Sequence, residues 1–344
     1  MIVSVTVDRK KGGIANSLIS YSKALNLINE KHLIVLPKNA AVIEVLQDHS
    51  NVEILELNKK SLYFHIYTKF ILRPDIAKHL KKSKWIFIHN SKLLKHFSNF
   101  FDKTGLINHS GKLRNTNHNA YNIFITQSGL SRFLKKYPDN VSKNIVICHG
   151  FDLLKPKIQN YRANSKRLEI IAAGRFIQKK GFEDLIDTAV MLKQEKISAQ
   201  ISLYGEGPLQ SKLANKINEL ELANISLMGW CPNLRDEFTK YDIFCIPSLI
   251  EPFGLIIGEA MMNGLPVIST KTDGALEIFG GLSEDRGGIL VDFSSPNQIV
   301  EAISRLQDED YRDLLSCNAK ANIENNFSLK RLSTDLKQLI DDEN

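Results

Sequence analysis

Residues 251–260 read EPFGLIIGEA and hold two carboxylates, Glu251 and Glu259, in a stretch otherwise made of apolar residues, two glycines and a proline. Burying a carboxylate without a partner is costly, because it strips water from the charged form. Pro252 pushes Glu251 towards an extended backbone. From Phe253-Gly254-Leu255 to Gly264 the chain then reads as a helix. A helix start presents unpaired N–H groups and a positive dipole end, a ready place for phosphate. Glu259 lies about one turn inside, and its side chain leans back towards that start. A carboxylate beside a phosphate site is useful where it accepts hydrogen bonds from hydroxyls. The pair therefore suits a ligand carrying both phosphate and the hydroxyls of ribose or hexose. The plainer reading, carboxylates that cap backbone N–H groups, suits Glu251 better than Glu259.

A second set lies upstream. LEIIAAGR (168–175) ends in Gly174 and Arg175, and Lys180-Gly181 opens a helical pattern five residues later. Two cations meeting at a strand end suit a diphosphate; taken alone, an Arg and a Lys flanking a surface loop is the plainer account. YGEGP (204–208) reads as a strand running into a tight glycine turn, a weak signal by itself.

The elements that must position these residues alternate along the whole chain. Apolar runs at 2–7, 32–37, 85–90, 105–109, 122–126 and 144–150 read as buried strands, with helical spacing at Ile14, Leu18, Tyr21, Leu25 and Ile28. A polar stretch over 151–167, with Pro156, reads as a linker. The alternation resumes at 168–175, 199–205, 225–230, 242–248, 266–270 and 287–293. Fully apolar strands between helices imply parallel sheets covered on both faces. At 344 residues the chain suits two such domains. Ligands of doubly wound sheets bind beyond the carboxyl ends of the strands, which places the expected site in a cleft between the domains.

PSLIEPFGLIIGEAMMNGLPVISTKTDGALEI resembles the signature of glycosyltransferase family 4 (glycosyl transferases group 1), whose members are retaining enzymes of the GT-B fold. The Glu, seven residues, Glu spacing belongs to that family. So do GRFIQKKGFEDLI, YGEGP, the Gly150-Phe151-Asp152 turn and the Gly12-Gly13 loop after the first strand. The resemblance spans the C-terminal half strongly and the N-terminal half loosely. It implies two Rossmann-like doubly wound α/β domains facing across a cleft. Residues 1–155 would bind the acceptor and 156–327 the donor, with a C-terminal helix at about 328–344 packing back onto the first domain.

The resemblance also implies roles. Arg175 and Lys180 would bind the donor diphosphate, and Lys180 would stabilise the leaving group. Glu259 would accept from the ribose, and Glu251 would hold the donor sugar. Amides near Phe253, Gly254 and Leu255 would touch sugar or phosphate. Residues around Trp230, after the glycine of MGW, would line the base, largely through backbone, and Gly12 and Gly13 would let the first domain's loop approach the phosphates closely. His109 is the best match for the histidine that faces the reacting sugar, with His89 second. Where the family has Asn-Gly before the Gly-x-Asp turn, this chain has His149-Gly150. Neither cofactor nor metal is implied, the basic residues taking the place of Mg²⁺. With no evident nucleophile, retention implies front-face attack, and Glu251 is not cast as a covalent nucleophile.

Charge is uneven. Residues 1–160 carry 25 Lys and Arg against 10 Asp and Glu, and the remainder 20 against 28. An excess of this kind points to an anionic partner or to a solvated lysine-rich surface. KKSLYFHIYTKFILRPDIAKHLKKSKW (59–85) mixes Tyr63, Phe64, Tyr67, Phe70 and Ile71 with lysines. It suits either an anionic membrane surface or core packing beneath a basic skin. No nucleic-acid recognition motif is present. Four scattered cysteines with no CxxC pair read as reduced thiols. No run is apolar enough to span a membrane and the N-terminus is no signal sequence, so the expected setting is cytoplasmic, with peripheral attachment to the inner membrane face. The expected partners are a nucleotide-sugar and a glycan or glycolipid acceptor of lipopolysaccharide, O-antigen or capsule assembly. The alternatives are a small soluble acceptor, another GT-B activity such as epimerisation, or a silent binding protein; the intact Arg175, Lys180, Glu251 and Glu259 set argues against silence.

Overall fold

Short runs such as IVSV (Ile2–Val5) and WIFI (Trp85–Ile88) have both faces made of apolar or small residues and are buried throughout; LEIIAA (Leu168–Ala173) is buried throughout as well, its one carboxylate, Glu169, paired with Arg167 at 2.7 Å. Strands of that kind need cover on both sides, which helical crossovers between parallel strands supply. A computed structural model describes residues 1–10, 12–57, 74–109, 119–153 and 167–342. The chain divides into two units, Met1–Asp152 with Phe327–Asn344, and Leu153–Asn326.

The first unit is built on β1 (Ile2–Val5), β2 (His32–Pro37), β3 (Val52–Leu57), β4 (Trp85–Ile88), β5 (Thr104–Asn108), β6 (Tyr121–Phe124) and β7 (Lys143–Val146). They form a parallel sheet in the order β3-β2-β1-β4-β5-β6-β7. The second unit repeats the plan with β8 (Leu168–Ala173), β9 (Ala199–Tyr204), β10 (Ile225–Gly229), β11 (Ile243–Ile246), β12 (Val267–Thr270) and β13 (Gly288–Val291), in the order β10-β9-β8-β11-β12-β13. Chain direction in sheet space reverses beside β1 and β4 in one sheet and beside β8 and β11 in the other. These switch points leave a crevice at the strand ends.

β3 is a strand that the apolar-run criterion misses. Its sequence, VEILEL, carries two exposed glutamates, Glu53 and Glu56, among apolar residues because it lies at the sheet edge and is only half-buried. The helical spacing read between β1 and β2 is α1 (Gly13–Leu27), and Leu18, Tyr21 and Leu25 are its buried face.

The chain end returns to the first unit. The helix α5 (Leu329–Asp341) packs on α1. Its entry is held by Phe151 N–H donating to Phe327 O (2.7 Å) and Leu329 N–H to Phe151 O (3.0 Å). Arg331 clamps the same turn, donating to Cys148 O at 2.7 Å and His149 O at 3.1 Å. Asp152 pairs with Lys23 of α1 at 2.6 Å.

The aromatic and lysine stretch over 59–73 lies outside the described residues, as do Lys11 and the linker over 154–166. Its described continuation, the helix Pro74–Lys82, buries Ile76 and Leu80. Among the described residues no helix is long and apolar enough to cross a membrane. All four cysteines are free; Cys148 and Cys245 are buried, while Cys231 is half-buried and Cys317 exposed.

All nine histidines lie in the first 150 residues. His32 is fully buried between Ser22 Oγ (2.8 Å) and Ser4 Oγ (2.7 Å), and burial lowers its pKa to about 3. Burial likewise brings His89 to about 3 and His149 to about 4, and holds His109 well below the ordinary value. A histidine whose folded pKa is depressed stays neutral while its unfolded counterpart takes a proton. The stability this represents is intact above about pH 6.5 and is lost progressively as pH falls towards 3–4. At pH 5.5 each such group costs about 1.4 kcal/mol. The four groups together cost about 5–6 kcal/mol, so the first domain is expected to melt about 10–20 °C lower at pH 5.5 than at pH 7.5, whereas histidine protonation leaves the second untouched. Trp85 fluorescence, followed in a Trp230→Phe background, reads the first domain alone. An unchanged Trp85 transition across that range would contradict this.

Candidate active site

The site in the second domain is assembled from loops at the switch point of its sheet. β8 runs into Gly174-Arg175, and the chain then turns through Gln178–Lys180 into α2 (Phe182–Gln194). Backbone bonds stitch the neighbouring strand ends together: Gly174 N–H donates to Tyr204 O (3.0 Å), Gly205 N–H to Gly229 O (2.8 Å) and Phe176 N–H to Glu206 O (2.9 Å). The glycines of YGEGP permit this approach. A Cβ at Gly205 would lie 1.9 Å from Gly174 O, and one at Gly207 2.5 Å from Phe176 O. The glycine turn is therefore a packing requirement.

These strand ends border a cavity of about 550 Å³ lined by Gly174, Arg175, Tyr204, Glu206, Trp230 and Ile256 among others. Arg175 is exposed, and its guanidinium has no hydrogen-bond or ion-pair partner among the described residues. A cation left open on a cavity wall is available to an anion. Trp230 is 63% exposed and offers an aromatic face to the same space. Tyr204 contributes the floor. Its phenol donates to Glu237 at 3.1 Å and lies 3.0 Å from the Tyr241 hydroxyl, and burial beside these two keeps it protonated.

On the other side of the switch point the loop after β11 carries Ser248–Gly254. It is pinned twice: Leu249 N–H donates to Lys179 O (2.9 Å), and Gly274 N–H to Glu251 O (3.0 Å). The helix α3 (Leu255–Met262) then starts from Gly254, which takes the left-handed conformation at φ 80°. No side chain caps this start, so the N–H groups of Leu255 and Ile256 have no intrahelical acceptor. Ile256 is the residue of this helix that reaches the cavity. Phe253 is 3% exposed and packs its backbone against Gly274 in α4 (Asp273–Phe279), where a Cβ would fall 2.1 Å from Phe253 O.

Lys180 and Glu251 meet. The ammonium is hydrogen-bonded to Glu251 Oε2, both side chains are 15% exposed, and the lysine stem lies against Gly174. The charge of Glu251 is thus matched by a lysine from the facing loop. The ammonium has three N–H donors, of which this bond uses one. Glu259 has a partner that the sequence does not announce. Arg235, from the short helix Leu234–Glu237, donates to its Oε1 at 2.8 Å, so an ion pair joins that helix to α3. Nothing in the polar run NLRDEF marks Arg235 as a partner; only the fold brings it there.

In the first domain Gly12 and Gly13 sit at the start of α1, both exposed, and a Cβ at either would meet nothing within 4 Å. Among the described residues no contact requires glycine at these positions. His109 follows β5, and its Nε2 lies 2.9 Å from Nδ1 of His89, which follows β4. His149 lies on its other side with a near-parallel ring, 10° from that of His109 and 5.9 Å between centroids. The two candidate histidines are thus partners, and His149, which read as a departure from the family pattern, belongs to the same row.

Residues 155–322 match the family model described as glycosyl transferases group 1. Among curated relatives, the lipopolysaccharide core biosynthesis glycosyltransferase LpsE of Rhizobium meliloti (strain 1021) is 25% identical over 173 residues, 50% of this chain and 49% of that protein. The chain spans about half the length of the curated relatives it matches. Among solved structures, a glycosyltransferase from Rickettsia africae ESF-5 superposes with a TM-score of 0.79 at 17% identity, covering 99% of this chain and 98% of that one. Anabaena HepE, solved with UDP and glucose, superposes at 0.74 with 19% identity, covering 99% of each. These likenesses establish the architecture as two Rossmann-like domains of the GT-B fold. Over residues 155–322, nearly all of its second domain, the chain matches the glycosyl transferases group 1 family.

Proposed function

We propose that the protein is a retaining glycosyltransferase that moves a sugar from a nucleoside diphosphate sugar, most naturally a UDP-sugar, to an acceptor hydroxyl on a lipid-linked glycan. The observation that carries this reading is the cavity at the β8/β11 switch point, where an open Arg175, an exposed Trp230 and the uncapped start of α3 border one space beside the Lys180–Glu251 pair. HepE, with the same fold, was solved with UDP and with UDP-glucose. LpsE is named for lipopolysaccharide core biosynthesis, and a second relative, LpsB of the same organism, is named a lipopolysaccharide core mannosyltransferase. These names support an envelope glycan as acceptor. The basic first domain supports an acceptor held at an anionic membrane surface, with the protein peripheral on its cytoplasmic face.

In this reading Trp230 lies against the base and Glu259 accepts from the ribose once Arg235 yields a carboxylate lone pair. Arg175, Lys180 and the amides near Phe253, Gly254 and Leu255 hold the diphosphate. Glu251 orients Lys180 and holds the donor sugar, Gly12 and Gly13 leave room for phosphate, and His109 meets the sugar undergoing transfer. Charge builds on the departing phosphate, and fixed cations and N–H groups stabilise it without a metal ion. The acceptor hydroxyl attacks from the face the diphosphate leaves and passes its proton to the leaving phosphate.

Turnover of UDP-, GDP- and ADP-sugars with a membrane-lipid extract tests the reading. Release of nucleoside diphosphate that depends on the extract, with the α-configured donor giving an α-linked product, is the expected result. Release dependent only on soluble sugars would place the acceptor in solution, and no release with any donor would refute the enzyme. Trp230→Ala is expected to weaken nucleotide binding about tenfold by calorimetry, the scale of one base–aromatic contact; unchanged affinity would move the base away from Trp230.

A further inference from the structure

The hydrogen bond between His89 and His109 has a direction, and that direction decides what His109 offers. The centroids are 5.1 Å apart with 12° between the planes. That spacing is what an N···N distance of 2.9 Å plus the two ring radii spans, so the imidazoles lie edge to edge in a common plane. One proton is shared between them, and the far end of His89 settles whose it is. His89 is 3% exposed, and its Nε2 is buried with no hydrogen-bond partner among the described residues. A proton there would be an orphaned donor, which folded proteins tolerate less readily than an unused acceptor. The proton of His89 therefore belongs on Nδ1, where it has an acceptor in His109 Nε2.

Neutral His109 then carries its own proton on Nδ1. The surroundings hold this arrangement still: Tyr21 packs edge-on against His89, with centroids 6.2 Å apart and 67° between planes, and His149 lies parallel to His109. We propose that His89 is a positioning residue that locks His109 as the Nδ1–H tautomer, so that His109 presents a hydrogen-bond donor at Nδ1. The tautomer stands on the first domain alone. Its use, donation to a hydroxyl oxygen of the transferring sugar, rests on the proposed function.

Two-bond proton–nitrogen correlation spectra of the whole chain labelled with ¹⁵N-histidine, at pH 7.5, test this. His109 is identified as the signal absent from His109→Gln. The expected pattern is an Nδ1–H imidazole; an Nε2–H pattern in the wild type overturns the proposal, whatever the enzyme does. In His89→Asn the side-chain amide can still donate, so the Nδ1–H pattern and kcat are expected to persist. In His89→Leu the pattern is expected to shift towards Nε2–H, with kcat down about tenfold and donor KM within twofold. An Nδ1–H pattern that survives in a folded His89→Leu overturns the role of His89. The wild-type tautomer, with no glycosyl transfer to any acceptor, would instead leave the proposal standing and remove the proposed function.

Discussion

Lys180→Ala is expected to lower kcat by about 10²–10³-fold, the usual cost of deleting one preorganised donor to developing negative charge. The same substitution strips the partner from Glu251, whose carboxylate is 15% exposed. Leaving an enclosed charge unpaired costs about 3 kcal/mol, so the melting temperature of the second domain is expected to fall as well. The two effects separate in a cycle with Glu251→Gln. The double variant removes both charges and should regain most of the lost stability while kcat stays low. A double variant that regained activity would mean that the pair is structural and that Lys180 does not meet the leaving group.

Gly274→Ala is expected to destabilise the second domain by about 1–3 kcal/mol, as overpacking does, and so to lower its melting temperature by several degrees. The added Cβ would fall 2.1 Å from Phe253 O and 2.2 Å from Phe253 C, both backbone atoms that cannot rotate away. Gly274 N–H also holds Glu251 O at 3.0 Å, so the strain is delivered to the loop that presents Glu251 to Lys180. Catalysis is expected to fall with stability. Equal melting curves for Gly274→Ala and wild type would contradict so close an approach of α4 to Phe253.

The fold was largely legible because buried parallel strands announce themselves as runs of apolar residues. Every strand of the second sheet lies on such a run. β3 escaped because an edge strand keeps its glutamates in water. In the site, the residues with fixed local grammar were legible: a glycine forced by backbone contact, a helix start after Gly254, and a cation at the end of β8. Pairings between distant segments were not. Arg235 reaches Glu259 and Lys180 reaches Glu251 only because β8 and β11 are neighbours in the sheet. The row of His89, His109 and His149 likewise depends on strand order, since the three lie far apart in the chain.

The proposed function rests on a nucleoside diphosphate occupying the cavity bordered by Arg175 and Trp230. Calorimetric titration of UDP against uridine, in the wild type and in Arg175→Ala, tests it most directly. UDP is expected to bind the wild type at least tenfold tighter than uridine, and Arg175→Ala to remove most of this difference while leaving uridine affinity unchanged. Equal affinities of UDP and uridine for the wild type, or a preference for UDP that survives in Arg175→Ala, would contradict it.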